Sequence, residues 1–230
     1  MVMAASLSNH VILVGLGKLG YRTFSLLRRL GEQIVVLERD PQNAFLDEVR
    51  AAGFPLFVGD ARRDQMLVDA NVAGARCVVI VTNDDLANLE IALDARRMHP
   101  GIRVVVRMFD QNMADKIRDG FNIHLAMSQS AVAAPAFAMS AIDPGFVNST
   151  IVDDRLIVML RRTIEPADPL ANRTIADVLR DAGLSVVKWR RPGAAERLFP
   201  PPETKLAVGD ELLLQGPLES AVALPKPVTR

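Results

Sequence analysis

The sequence predicts an α/β protein: a doubly wound parallel sheet followed by a second, smaller α+β unit. Three observations carry this. Short, continuously apolar runs alternate with amphipathic helical stretches from Val11 to about Ala126. A turn carrying Gly15, Gly17 and Gly20 sits where the first run hands over to the first helix. Beyond Ser128 the alternation gives way to an alanine-rich segment and then to shorter strands of mixed composition. Apolar strands separated by helices mean strands buried on both faces, hence parallel pairing with right-handed crossovers.

The first element, VILV from Val11, is a buried strand, and the helix after it begins near Lys18 and Leu19. Each glycine between them has its own physical reason. Gly15 permits a turn that a Cβ would obstruct, Gly17 lets the backbone approach a phosphate, and Gly20 lets the helix pack on the sheet. The second strand ends at Glu38, about 20 residues beyond the glycines, where a carboxylate accepts hydrogen bonds from both hydroxyls of an adenosine ribose. Strand, glycine turn, helix and terminal acid together form the dinucleotide-binding fingerprint of a Rossmann-like fold, whereas the glycines alone would be an ordinary tight turn. Glu38 repels a 2′-phosphate, so NAD, NADH, ATP, ADP or AMP is favoured over NADP, with Arg39 softening the discrimination. The helix N-terminus adds about 0.3 to 1 kcal/mol for an anion at an exposed site.

The alternation then continues. Pro41 to Ala52 is expected as a helix, Pro55 to Val58 as a strand, Arg63 to Asn71 as a helix and Cys77 to Val81 as a strand. Asp84 to Met98 is a long helix stopped by His99, Pro100 and Gly101. Val104 to Arg107 is a fifth strand, Asp110 to Asp119 a helix ended by Gly120, and His124 to Ala126 a sixth, edge strand. Ligands of such sheets bind at the carboxyl ends of the strands, where strand order reverses. That level presents Gly59, Asp60 and Ala61 after the third strand, placed to meet an adenine edge. After the fourth strand it presents Thr82, Asn83 and Asp84, of which Thr82 and Asn83 are placed to meet a pyrophosphate or a second nucleoside. TNDD is also what a helix N-cap with an acidic first turn looks like, and the two roles are compatible. Arg107 has no evident partner in sequence; a phosphate contact and a surface ion pair are both open to it.

SQSAVAAPAFAMSAI, from Ser128, reads as a helix bent or interrupted at Pro135, too apolar to be a solvated linker. Either its own sheet or another subunit must cover it. Asp143, Pro144 and Gly145 mark the expected domain boundary. In the second unit Leu156 to Arg161, Ser185 to Arg190 and Glu211 to Gln215 are expected strands, and Ile175 to Ala182 a helix ended by Gly183. A module this small commonly gains stability by pairing with a copy of itself. Trp189 is expected to be a half-buried aromatic with solvated neighbours.

Composition narrows the function classes. The 230 residues are 50% hydrophobic and carry zero formal charge, with bases scattered among acids, so no electrostatic footprint for nucleic acid or an anionic membrane is present. The single cysteine, Cys77, lies in an apolar run and is expected to be a core residue of a cytoplasmic protein. The start, MVMAASLSNH, lacks the pattern of a signal peptide. His10, His99 and His124 show no metal-ligand spacing.

VGLGKLG, VVLERDP, VGDARRDQML, VIVTNDDLANLEIA and VVVRMFDQN, in that order, resemble the RCK family, the regulators of potassium conductance also known as Ktn or TrkA-type domains. LANRTIADVL, SVVKWRRPG and LAVGDELLLQG resemble their C-terminal lobe. The resemblance spans nearly the whole chain, with residues 1–142 as the nucleotide-binding lobe and its crossover helix and 150–220 as the C-terminal lobe. It implies a cytosolic ligand sensor at the inner face of the membrane. Such a sensor forms a homodimer, often builds a higher ring, and opens or closes a potassium channel or transporter subunit. It also implies nucleotide contacts at Gly15, Gly17, Gly20, Glu38 and Asp60, and dimer contacts on the helices near Asp84 to Met98 and Asp110 to Asp119. Calcium-gated members place acids on and after the fifth strand; here Arg107 stands there, which argues against calcium at that position. The alternative from another class is an NAD-dependent oxidoreductase, for which no Lys, His, Tyr or Cys constellation is evident.

Overall fold

The computed structural model describes residues 4, 6–121 and 123–225, so part of the opening MVMAASLSNH lies outside it. Six parallel strands form the first sheet: β1 (Val11–Val14), β2 (Ile34–Glu38), β3 (Leu56–Val58), β4 (Cys77–Ile80), β5 (Arg103–Met108) and β6 (Leu125–Ser128). Their order is β3-β2-β1-β4-β5-β6, with β1 central between β2 and β4 and with β6 at the edge as expected. β1 and β2 are buried throughout, as parallel strands covered on both faces must be. The crossovers are α1 (Lys18–Arg29), α2 (Leu46–Ala51), α3 (Asp64–Asp69), α4 (Asp85–Met98) and α5 (Gln111–Phe121). One core lies between the sheet and α3, α4 and α5, and includes Ile12, Leu67, Ile91, Ile117 and Val106; another holds Leu13, Phe24, Val36 and Val49.

Three elements differ from expectation for local reasons. The helix expected from Pro41 begins only at Leu46, because Asp40 and Asn43 accept hydrogen bonds from the backbone N–H of Gln42 and Phe45, both at 2.9 Å. Such side-chain turns compete directly with helix. The helix expected to Asn71 stops at Asp69, since Asn71 is left-handed at φ 54°, and a 3-10 turn Val72–Gly74 follows. Gly120 does not end α5, which continues to Phe121.

Contacts divide the chain into Met1–Ser130 and Ala131–Arg230. This places most of α6 (Gln129–Ile142), expected within residues 1–142, with the second unit, where its Met139 joins a core with Phe146, Val158 and Leu214. α6 runs as one helix through Pro135, so the expected interruption does not occur. The second unit is an antiparallel sheet of β7 (Phe146–Val152), β8 (Arg155–Thr163), β9 (Ser185–Arg190), β10 (Arg197–Leu198) and β11 (Glu211–Pro217), ordered β10-β9-β11-β8-β7. Two helices accompany it, α7 (Ile175–Ala182) and α8 (Leu218–Ala223). α7 is held by a capping box between Thr174 and Asp177 and closed by left-handed Gly183 at φ 65°.

Trp189 is buried, not half-exposed, and its neighbours are paired. Its Nε1 donates to Asp210 at 2.9 Å, while Arg191 donates to the same carboxylate through Nε and Nη2, both at 2.9 Å, and lies 5.2 Å from the indole centroid. Ala207 N–H supplies a further donor at 2.8 Å. Burial alone would push the Asp210 carboxyl up, but the Arg191, Trp189 and Ala207 donors outweigh it and hold the group below the ordinary 3.8. The native state therefore favours the ionised form. Its contribution is fully present above the unfolded-state value near 3.8 and is lost as pH falls through the lower folded value. Asp210→Asn is expected to cost roughly 2 to 3 kcal/mol at pH 7 and to flatten the acid limb of the stability profile. Urea unfolding of both proteins at pH 7 and pH 3 checks this; equal stability at pH 7 would show that the network contributes nothing.

Candidate functional site

Residues at or just past the ends of all six strands of the first sheet line a cavity of about 520 Å³. The turn after β1 forms its floor. Gly15 is at φ 90° and donates to Leu37 O at 2.8 Å, and a Cβ there would meet Thr82 at 3.1 Å. Gly17 is the N-cap of α1, extended at φ −65° and ψ −173°, with no side-chain cap. The free N–H groups of the first turn are thus left to an external acceptor. Gly20 lies beneath the turn and does not line the cavity; a Cβ there would stand 2.0 Å from Gly15 O.

Glu38 is 9% exposed at the end of β2. Its Oε2 accepts from Leu16 N–H at 2.5 Å and its Oε1 from Asp40 N–H at 2.8 Å, which fixes the carboxylate and ties it to the glycine turn. Carboxylate oxygens have further lone pairs, so acceptor capacity toward a ribose remains. Asp60, past β3, is gripped by Arg62 through Nε at 3.0 Å to Oδ1 and Nη2 at 2.6 Å to Oδ2. That guanidinium, despite the opposing effect of burial, holds the Asp60 carboxyl at about 2, well below its usual range. Arg62 and its pairing with Asp60 were not anticipated.

Past β4, Thr82 and Asn83 line the cavity while Asp84 caps α4, its side chain accepting from Ala87 N–H at 3.0 Å. Asp84 lines the cavity as well, so the capping role and the cavity-lining role both hold in this segment. Asn88, fully buried, joins two strand ends. It accepts from Thr82 Oγ1 at 2.5 Å and donates to Thr82 O at 3.2 Å and Arg107 O at 2.9 Å. A polar residue at an inward position of an amphipathic helix was the signal that could have found it. Arg107 donates from Nη1 to Thr82 O at 3.1 Å, and its Nε is buried without a hydrogen bond.

The structure thus brings Gly15, Gly17, Lys18, Leu19, Glu38, Arg39, Asp60, Ala61, Thr82 and Asn83 around one cavity, together with Asp40, Asn43, Arg107 and Gln129. Cys77 is buried in the core, and burial pushes its thiol up. Among the described residues no group of three or more His, Cys, Asp or Glu is arranged to hold a metal. Nor is any described helix long and apolar enough to cross a membrane.

A Rossmann-type sheet with a glycine turn and a strand-end acid over one cavity, followed in the chain by a small antiparallel lobe, defines a two-lobed domain with a crevice at the carboxyl ends of its parallel strands. The chain belongs to the TrkA-N domain family, whose model matches residues 11–128, and a TrkA-C domain model matches residues 159–224. It is 26% identical over 221 residues to Potassium channel protein 1 of Methanocaldococcus jannaschii, covering 93% of this chain and 65% of that protein. It is 32% identical over 109 residues to the glutathione-regulated potassium-efflux system protein KefC of Enterobacter sp. (strain 638), covering 47% of this chain and 17% of that one. Among solved structures, the GsuK RCK domain aligns at 26% identity and TM-score 0.52, covering 94% of this chain and 46% of that chain. The GsuK channel bound to NAD aligns at 26% identity and TM-score 0.53, covering 94% and 38%. The RCK resemblance and the α/β fold with its second lobe are thereby shown.

Proposed function

We propose that the chain is the cytosolic ligand-sensing part of a potassium channel or transporter system, binding an adenine nucleotide at the crevice and altering ion flux through a dimer or ring rearrangement. The observation that carries the reading is the fixed Glu38 carboxylate facing an uncapped helix N-terminus across one cavity. An acid at ribose height and free N–H groups at phosphate height match the two halves of an adenosine phosphate. The GsuK channel bound to NAD, similar over 94% of this chain, supports the ligand class, and the potassium channel relative supports the partner.

Self-association is supported by α6, on which Val132, Phe137 and Ile142 stay exposed, Phe137 at 78%. Apolar surface of this kind marks an interaction site, and a second copy of the chain is the occupant we infer. Higher ring assembly follows only if a second interface exists. In a gate of this type a ligand acts only through its difference in affinity for two arrangements; moving a two-state equilibrium from 1:99 to 99:1 takes about 5.5 kcal/mol, shared across the sites of an assembly.

We propose no catalytic role. Proton transfer beside a nicotinamide requires a positioned donor, and of Lys, His, Tyr and Cys the cavity lining holds Lys18 alone among the described residues, which is no acid–base constellation. An oxidoreductase would reveal itself by turnover of NADH with carbonyl substrates.

The test is thermal unfolding with NAD, NADH, ATP, ADP and AMP. A ligand at about 100 times its dissociation constant stabilises by about 2.7 kcal/mol. Glu38→Gln keeps an acceptor for Leu16 N–H but removes the charge, and is expected to weaken nucleotide binding about tenfold. Absence of a shift with every nucleotide would overturn the reading.

A further inference from the structure

The carboxylates that line the cavity are all engaged within the chain. Asp60 is held by Arg62, Glu38 by two backbone N–H groups, Asp84 by Ala87 N–H and Asp40 by Gln42 N–H. Arg107 lines the same cavity from the end of β5, and no carboxylate among the described residues pairs with it. One of its five N–H groups is committed, from Nη1 to Thr82 O at 3.1 Å, and Thr82 is itself fixed by buried Asn88. Asn88 also holds the Arg107 backbone carbonyl at 2.9 Å. The guanidinium is therefore anchored by its Nη1 side and at its backbone, while Nε, buried, makes no hydrogen bond.

A guanidinium is a planar, fork-shaped cation with five donors, and with Nε enclosed and one Nη1 donor given to Thr82 O, the remaining Nη donors are left for phosphate oxygens. A permanent cation that lines a cavity with no carboxylate partner among the described residues favours an anion there. The position matters as well. Thr82 lies against the glycine turn, where a Cβ on Gly15 would be 3.1 Å from it, so Arg107 is set just past the place where a pyrophosphate meets α1.

Building on the proposed adenine-nucleotide site, we propose that Arg107 forms a terminal-phosphate subsite, and that the nucleotide this chain prefers is an adenosine di- or triphosphate over NAD and AMP. AMP stops short of the subsite. NAD brings an uncharged nicotinamide ribose to it and leaves the fork unpaired. Asn88 is a positioning residue here, acting through Thr82 and the Arg107 backbone.

Isothermal titration calorimetry of the purified chain with ATP, ADP, AMP and NAD tests this, using wild type, Arg107→Met and Arg107→Lys. Wild type is expected to bind ATP or ADP about tenfold or more tightly than AMP and NAD. Arg107→Met is expected to erase that margin while changing AMP and NAD affinity by less than about threefold. Arg107→Lys keeps the charge and loses the fork, so it falls between them; it also decides the matter if the methionine variant does not fold. Equal losses for all four nucleotides, an unchanged ATP to AMP ratio, or wild-type preference for NAD would each overturn the subsite. Failure of wild type to bind any of the four would instead overturn the nucleotide site on which it rests.

Discussion

Gly17→Val is expected to weaken adenine nucleotide binding by about two orders of magnitude while leaving the chain folded. The backbone at Gly17 is extended, at φ −65° and ψ −173°, a conformation any L-residue adopts, and a Cβ there meets nothing within 4 Å in the free protein. The Cβ therefore imposes no strain on the fold, and the cost is that of a poor N-cap residue, about 1 kcal/mol. It does occupy the approach to the N–H groups of the first turn of α1, where a phosphate must come within hydrogen-bond distance. That loss in affinity is read by calorimetry alongside an unfolding midpoint lowered by only about 2 to 4 °C. Retained affinity would move the ligand away from the glycine turn altogether. This variant isolates ligand approach better than removal of Glu38, whose carboxylate also holds Leu16 N–H and so couples binding to the stability of the turn.

Gly20→Ala, three residues on in the same motif, is expected to do the reverse. Its Cβ would lie 2.0 Å from Gly15 O and 2.9 Å from Gly15 C, atoms of a backbone already committed to a left-handed turn at φ 90°. Neither neighbour is a flexible side-chain end that can swing aside, so α1 must move off the sheet or the turn must open. Overpacking against side chains typically costs 1 to 3 kcal/mol, and against fixed backbone we expect about 3 kcal/mol or more. For a chain of this size that lowers the unfolding midpoint by roughly 6 to 12 °C, with nucleotide affinity falling because the turn is displaced. A wild-type midpoint for Gly20→Ala would mean that the helix does not pack on the turn as described. The paired outcome, one glycine for the ligand and one for the fold, separates the two demands that a single sequence pattern combines.

How much of this was legible beforehand follows from the range of the interactions involved. β1, β2, α1 and α4 could be read because their signals are local: unbroken apolar runs, a helical period, and Asp84 with Asp85 at a helix start. α7 could be read to the residue, since Thr174 and Gly183 are its own caps. β7 was missed because Asn148, Ser149 and Thr150 break its apolar pattern; it is held by pairing with β8. A local trace of that hairpin did exist in Asp153 and Asp154, adjacent residues at φ 47° and 62°, as a tight two-residue turn requires. The helix expected from Pro41 failed in the opposite way, because the Asp40 and Asn43 side chains captured backbone donors that periodicity does not register.

By itself the sequence determined the alternation of strands and helices through the first sheet, the glycine turn, the acid at Glu38 and the family resemblance, all of which are written in contiguous residues. Only the tertiary structure decided that Asn88 ties Thr82 to the Arg107 backbone, and that Arg107 lines the cavity with no carboxylate partner among the described residues. It also decided that Trp189 is buried on Asp210 and that Gly20 supports the turn without lining the cavity. The reason is physical. A strand or a cap is specified by neighbours a few positions away, whereas the charge balance of a crevice depends on which side chains the crossovers bring together, and parallel strands adjacent in space are separated in sequence by whole helices.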